Sequence, residues 1–320
     1  MASFKVGSGS VCQAAAQTTW GTSVTPDVLL NMTGESISVT YQKGDEGNLI
    51  ANKTAAQKDL LAVVTEGGIN TILRPEFIDW LLKSAMGHES SGVYTLAAPN
   101  TELPISTLVM NRGGIVKTYP DVTVRSLTIE APAQDYVRAN IDLVGTKEIA
   151  AGDTGAQTIQ SLSFTKPSYR CTSATLYYGA GGTAAASLAS SLCVENCTVT
   201  IDNGVEDSPA TYCSGFYNDR PVPGQRTVSV NFSIPYSTAV DSFRETYYCD
   251  EDSPNVAIKL VFTTSDTSEK VEIYMPNVNL TSADGNVDGP GIIDSSFAGE
   301  ALSVGSAEPI TITVTHHTGA

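Results

Sequence analysis

Histidines, cysteines and clustered carboxylates are the side chains of this chain that could do chemistry, and their spacing assigns none to them. There are three histidines. His88 stands just after a glycine that closes a helix, and His316 and His317 form a pair near the end of the sequence that could hold a metal only adventitiously. The six cysteines are Cys12, Cys171, Cys193, Cys197, Cys213 and Cys249. Cys193 and Cys197 are spaced C-x3-C, not the C-x2-C of zinc ribbons, and no second ligand pair follows at matching spacing. Residues 179–182, GAGG, lack the G-x-G-x-x-G pattern and its strand–helix context, so they read as linker. No G-x-S-x-G, H-E-x-x-H or Walker sequence occurs. The recurring acids Glu35, Glu46, Glu195 and Glu206 flank strands near turns, where solvated carboxylates belong. No catalytic, cofactor-binding or metal-binding residue is assigned, and no enzyme is expected.

The elements that would have to position such groups are mostly strands. Residues 36–41 alternate, with Ile37, Val39 and Tyr41 on one face, and are expected in the core of a sandwich. The stretch recurs: 160 residues on, Glu35, Val39, Thr40, Gly44 and Glu46 fall on Glu195, Val199, Thr200, Gly204 and Glu206, and Cys197 takes the place of Ile37 as a small buried apolar residue. Residues 74–87, RPEFIDWLLKSAMG, predict a helix. Pro75 suits its first turn, Gly87 suits the left-handed closing position, and Phe77, Trp80 and Leu81 make an apolar face. A second helix is expected after the cap Ser237, with Val240, Phe243 and Tyr247 on one face; at an offset of 166, Phe77 falls on Phe243. Further strands are predicted at 92–97, 107–111, 114–119, 122–129, 135–145, 197–202, 226–232, 256–263, 270–274, 278–280 and 310–314. The change of parity at Arg125–Ser126 marks a bulge, and Asp202-Asn203-Gly204 reads as a hairpin turn.

Long polar excursions interrupt both halves, at 45–59 and 215–225. Loops of that length in a compact domain are usually functional. Asp45, Glu46, Asn48, Asn52, Lys53, Lys58, Tyr217, Asp219 and Arg220 are the candidate contact residues in them. The expected organisation is an extended arm at 1–32, a first unit at 33–165 and a second at 166–320, with a linker within 160–192. The fold class is α+β, mainly antiparallel, with one short helix per unit.

The net charge is −16, from 18 Lys and Arg against 34 Asp and Glu, which argues against tight nucleic-acid binding but not against DNA passing by. The first residues, MASFKVGSGSVCQAAAQ, contain no apolar signal region, and no run is long enough for a membrane helix, so the cysteines are expected to stay reduced.

The opening Gln17-x-x-Trp20-Gly21-Thr22, the strand ending at Tyr41, the helix RPEFIDWLLKSAMG, Tyr119-Pro-Asp-Val and Tyr274-Met-Pro-Asn-Val-Asn-Leu resemble, in order and spacing, the tail tube (major tail) proteins of long-tailed phages. The resemblance implies a β-sandwich or barrel flanked by a helix and stacked rings around a lumen for genome ejection. It further implies a virion tail location after assembly in the host cytoplasm, and tape-measure and tail-end proteins as partners. Two units per chain would make trimeric, pseudo-six-fold rings; the alternative is six chains per ring. An acidic lumen would keep DNA from sticking. The excursions would join ring to ring, and the arm could reach a neighbour. A secreted adhesin- or pilus-like sandwich and another virion protein, such as a tail terminator, are the competing readings.

Overall fold

The structure is a computed structural model describing residues 7–45, 58–98, 101–206, 215–217, 219–249, 252–285 and 293–316. The first strands are β1 (Val11–Gln17), β2 (Val28–Leu30), β3 (Met32–Glu35), β4 (Ser38–Asp45) and β5 (Lys58–Ile72). Helix α1 (Pro75–Met86) leads into β6 (Gly87–Ser90), β7 (Val93–Leu96), β8 (Ile105–Arg112), β9 (Ile115–Pro132), β10 (Arg138–Gly145) and β11 (Ile149–Ala150). Then come β12 (Tyr169–Ala180), β13 (Ser190–Leu192), β14 (Asn196–Asp202), β15 (Val205–Glu206), β16 (Val222–Pro223) and β17 (Thr227–Pro235). Helix α2 (Thr238–Tyr247) precedes β18 (Val256–Thr264), β19 (Glu269–Asp284), β20 (Asp294–Ala301) and β21 (Thr311–His316). The fold is α+β and mainly antiparallel β.

One order of strands occurs twice. β4, β5, β10, β9 and β8 pair in sequence in the first half, and β14, β17, β20, β19 and β18 in the second. The irregularities coincide as well. β9 carries an extra residue, Arg125, between the pairs Asp142–Ser126 and Leu143–Val124; β19 carries Thr281 between Ala298–Ser282 and Gly299–Leu280, 156 residues on. The parity change at Arg125 is thus a bulge. Each long strand also bends at its proline. Pairing jumps from Leu108–Tyr119 to Ser106–Val122 around Pro120, and from Ile258–Met275 to Val256–Val278 around Pro276. The segments expected as separate strands on either side of these prolines are therefore continuous, because a proline in a bend removes one ladder hydrogen bond without ending the strand.

The ladder also corrects the sequence offsets. Ile69 faces Ile141 and Phe232 faces Phe297, which places β17 at 163 residues from β5. The helices follow at the same spacing, starting at Pro75 and Thr238. Trp80, not Phe77, is the counterpart of Phe243, and Phe77 matches Val240. All four are buried. Gly34 and Glu35 face Asn70 and Ile69, as Asn196 and Cys197 face Ser233 and Phe232, so β3–β4 matches β14 at 162, not 160.

α1 ends as its sequence requires: Gly87 has φ 89° and its N–H reaches the Lys83 carbonyl. It is buried on more than one stripe, Ile78, Leu82 and Met86 included, because β1 and β2 cover it. α2 is capped by the Ser237 side chain, which accepts from the Val240 N–H at 3.4 Å. Phe243 packs edge-on against Tyr178 and Phe297 at centroid distances of 5.0 and 5.3 Å and lies beside Tyr247, which is partly buried.

Other expectations change. The arm is a strand of its own chain over Val11–Gln17, paired along its length with β8, and β2 folds back on it. Residues 179–182 are the end of β12 and a turn whose Gly181 and Gly182 N–H groups reach the Asn255 and Pro276 carbonyls at 2.8 and 2.9 Å, so they are not a linker. Asn203 does not sit at a hairpin tip. It is fully buried and donates to the Ala85 and Val124 carbonyls at 2.9 and 3.1 Å. Tyr41 is 55% exposed. It shares a face with buried Ile37 and partly buried Val39, but among the described residues β4 has a strand on one side only, so the end of that face is uncovered.

Candidate assembly surfaces

The two ladders join where the second half of β9, already paired with β10, pairs on its other side with β14, from Asn196–Pro132 to Asp202–Ser126. Seven strands from β5 to β19 thereby form one sheet with two unlike faces. One row across it reads Ile69, Ile141, Leu127, Ile201 and Val228, all buried. The opposite face reads Asn70, Asn140, Thr128, Thr200, Ser229, Glu300 and Asn279 in a single row, none buried. The Thr128 and Thr200 hydroxyls bond across the junction at 3.1 Å, and Asn140 donates to Glu130 at 2.7 Å. Glu130, Asp142, Asp202, Asp284 and Glu300 put carboxylates on this face. The cations beside them are already engaged, Arg138 with Asp135 at 2.8 Å and Arg125 with Asp142 at 3.8 Å. Both helices lie on the apolar side: Asn203 binds the end of α1 there, and Phe243 of α2 packs on Phe232 and Phe297.

A buried hub ties the N-terminal segment to the bend in β9. Asp121, 2% exposed and at φ 60°, accepts from the Gln17 side-chain amide, from Gly21 N–H at 2.6 Å and from the Thr146 hydroxyl at 3.1 Å. Gln17 in turn accepts from the Thr107 hydroxyl at 2.8 Å. A second cluster caps the kink between β3 and β4. Arg112 binds the Glu35 carboxylate through two 2.8 Å contacts and the Ile37 carbonyl at 2.9 Å, and Glu35 accepts the Ile37 N–H at 2.9 Å. The Arg112 guanidinium holds the Glu35 carboxyl below its usual range. Neither cluster is signalled by sequence spacing, since its central pair is distant in the chain: Glu35 and Arg112 are 77 residues apart, and Gln17 and Asp121 are 104 apart.

Of the loop residues expected to make contacts, Glu46, Asn48, Asn52 and Lys53 lie outside the described residues. Asp45 and Lys58 face each other at the end of the β4–β5 pair. Tyr217 is 39% exposed beneath the Lys147 ammonium, and the neighbouring Phe216 carbonyl accepts the Val63 N–H at 2.8 Å. Arg220 is engaged within the chain by Glu102 and by the Leu103 carbonyl, with Asp219 half-buried next to it. The loop of the second half is therefore anchored on the first. Ile37, Phe77, Trp80, Leu81 and Phe243 are buried.

His316 lies between Asp79 and Glu269 at 2.8 and 2.6 Å, and His88 meets the Thr95 hydroxyl; His317 lies outside the described residues. Among the described residues no group of three or more His, Cys, Asp or Glu could hold a metal ion, and no helix is long and apolar enough to cross a membrane. Burial pushes the Cys12, Cys171 and Cys197 thiols up to about 12, while Cys193 and Cys249 are exposed. A thiol reagent on the native protein is expected to label Cys193 and Cys249 and to spare Cys12, Cys171 and Cys197 until denaturant is added, read by peptide mass spectrometry.

A family model described as phage tail tube protein matches residues 7–301. A search of curated proteins finds no match.

Proposed function

The chain belongs to the phage tail tube protein family, and from that premise we propose that three copies close each ring of a hollow tube, every chain supplying two tandem tube units. The protein is a structural component of the virion tail. The observation that carries the trimer is the doubled ladder, with its bulges at Arg125 and Thr281 in the same register. Two such units per chain make six per ring from three chains. The units join near the β9–β14 junction, with the first spanning 33–165 and the second 166–320.

The polar sheet face is the lumen wall in this reading. A wall of Asn, Thr, Ser and carboxylates offers DNA no apolar surface. Its cations are engaged by acids, so phosphate finds nothing to displace counterions. Each chain carries −16, and the resulting field repels phosphate over roughly a Debye length, about 8 Å at physiological salt. The helices and the apolar face then form the outer layer. Ring-to-ring contacts fall to the loops at 45–59 and 215–225, and tape-measure and tail-end proteins are the further partners. DNA passes through on ejection without being held.

A reconstruction of tubes assembled from the purified protein tests this. Three chains per ring are expected, with Thr128 and Thr200 facing the axis. Six chains per ring, or the helices facing the axis, would overturn it.

A further inference from the structure

We propose that the junction inside the chain is repeated between chains: β4 of one copy adds to the free edge of β19 in the next, in a register fixed residue by residue. This rests on the tube reading for its closure into a ring, but not for the contact itself.

The second half of β9 is paired on both sides, with β10 and with β14. Its counterpart, residues 280–284 of β19, beyond the Val278–Val256 pair with β18, is paired with β20, and no strand occupies the other edge among the described residues. The counterpart of β14 is β3–β4, which among the described residues pairs only with β5. One copy thus presents the acceptor edge and the donor strand at opposite ends of its doubled ladder. A head-to-tail contact of that kind forms a ring if its rotation closes.

The register follows from the two offsets. Thr200–Thr128 becomes Ser38 of one copy opposite Asp284 of the next, and Asp202–Ser126 becomes Thr40 opposite Ser282. The hydroxyl pair at 3.1 Å inside the chain becomes a Ser38 hydroxyl donating to the Asp284 carboxylate. The N–H that Asn203 gives to the Arg125 carbonyl at 3.0 Å becomes the Tyr41 N–H given to the Thr281 carbonyl. The backbone directions agree. Ser36 N–H bonds the β5 carbonyl of Gly68, so Val39 and Tyr41 turn their polar groups away from β5 to the open edge.

Exposure supports the match independently. Asn203, fully buried, lies on the Ala85 and Val124 carbonyls. Translated, Tyr41 lands on Tyr248 and Leu280 of the neighbour. Tyr41 and Tyr248 are 55% and 37% exposed in the single chain. The Glu35–Arg112 cap already satisfies the Ile37 N–H and carbonyl, so the shared ladder starts beyond it, at Ser38, and the edge ahead of it is closed to promiscuous pairing.

Thr40 and Ser282 form a pair without mutual backbone hydrogen bonds, whose Cα atoms come to about 4.5 Å, within reach of a disulfide. In a full-length background carrying Cys193→Ser, Cys213→Ser and Cys249→Ser, Thr40→Cys with Ser282→Cys is expected to give covalent dimers and trimers on a non-reducing gel after mild oxidation. Either single variant, and the off-register pair Thr40→Cys with Asp284→Cys, should stay monomeric. Tyr41→Pro, which removes an N–H turned away from β5 together with the ring placed against Tyr248, should keep the circular dichroism of the fold and lose assembly in sedimentation and negative-stain microscopy. Tubes that form without the in-register cross-link, or that form from Tyr41→Pro, overturn this pairing and leave the tube reading standing. Cross-linked rings that never stack overturn the tube reading and keep the pairing. A persistent monomer with no cross-link overturns both.

Discussion

Replacing Asp121 by alanine is expected to lower the stability of the chain by about 3–5 kcal/mol in chemical denaturation, the effect of losing several hydrogen bonds to one buried carboxylate. The Gln17 amide, the Gly21 N–H and the Thr146 hydroxyl all converge on it, and it is 2% exposed. Truncation strands the buried Gln17 amide and Thr146 hydroxyl, while the Gly21 N–H lies nearer solvent. Alanine would also inherit φ 60°, a left-handed conformation that costs an ordinary L-residue about 1–2 kcal/mol. Asn tolerates that conformation, keeps one acceptor and is the residue at the matching bend, Asn277, so Asp121→Asn should recover about half of the loss. Loosening should concentrate in the N-terminal segment: amide exchange of β1 and proteolysis within 18–27 should rise before the rest of the sheet responds. An alanine variant within about 1 kcal/mol of the parent would mean that Gln17 and Gly21 find other partners.

The same hub marks what the sequence leaves hidden. Gln17 and Asp121 are 104 residues apart, and neither periodicity nor local motif links them. Local signals were legible where one residue type answers one backbone demand. Pro75 and Gly87 bound α1, Ser237 caps α2, and the parity change at Arg125 marks the bulge. The repeat was visible too, but two residues out of register in its first strand. That slip is silent in a strand, because side chains alternate with period two and a shift of two keeps every residue on its face. In the helix the slip of three is nearly as quiet, since i and i+3 share a face. Only the pairs across β10 and β20 separate 163 from 166. Strand partners were not legible at all. β9 gives no sign that β14 will flank it, since alternation tells which face is buried and not which strand lies beside it. Tyr41 shows the same limit: alternation puts it on the face of Ile37 and Val39, but does not tell that the end of that face is exposed. The candidate assembly surface is a matter of partners and edges, so it emerged only from the ladder.

Trp80→Ala and Phe243→Ala are each expected to cost about 3–5 kcal/mol, the range for truncating a buried aromatic. They are equivalent residues on the two helices, 163 apart, and both are buried, yet their surroundings differ. Trp80 donates its indole N–H to the Ser106 hydroxyl at 3.2 Å, with Ser84 beside it, so Trp80→Phe should lose about 1 kcal/mol for that bond while filling most of the space. Phe243 has no polar partner to lose. It sits among Tyr178, Phe232, Tyr247 and Phe297 with centroids 5.0 to 6.3 Å away, and its loss removes several aromatic contacts at once. The two losses should also be felt by the whole chain. β14 is hydrogen-bonded along its length to β9, so the two ladders share a sheet rather than a linker. Both variants should therefore shift one common unfolding transition, followed in parallel by tryptophan fluorescence and far-UV circular dichroism. If Phe243→Ala instead unfolded the second half alone, leaving a separate later transition around Trp80, the β9–β14 junction would not couple the two ladders. The polar face would then be two surfaces meeting at a seam, and not one continuous wall.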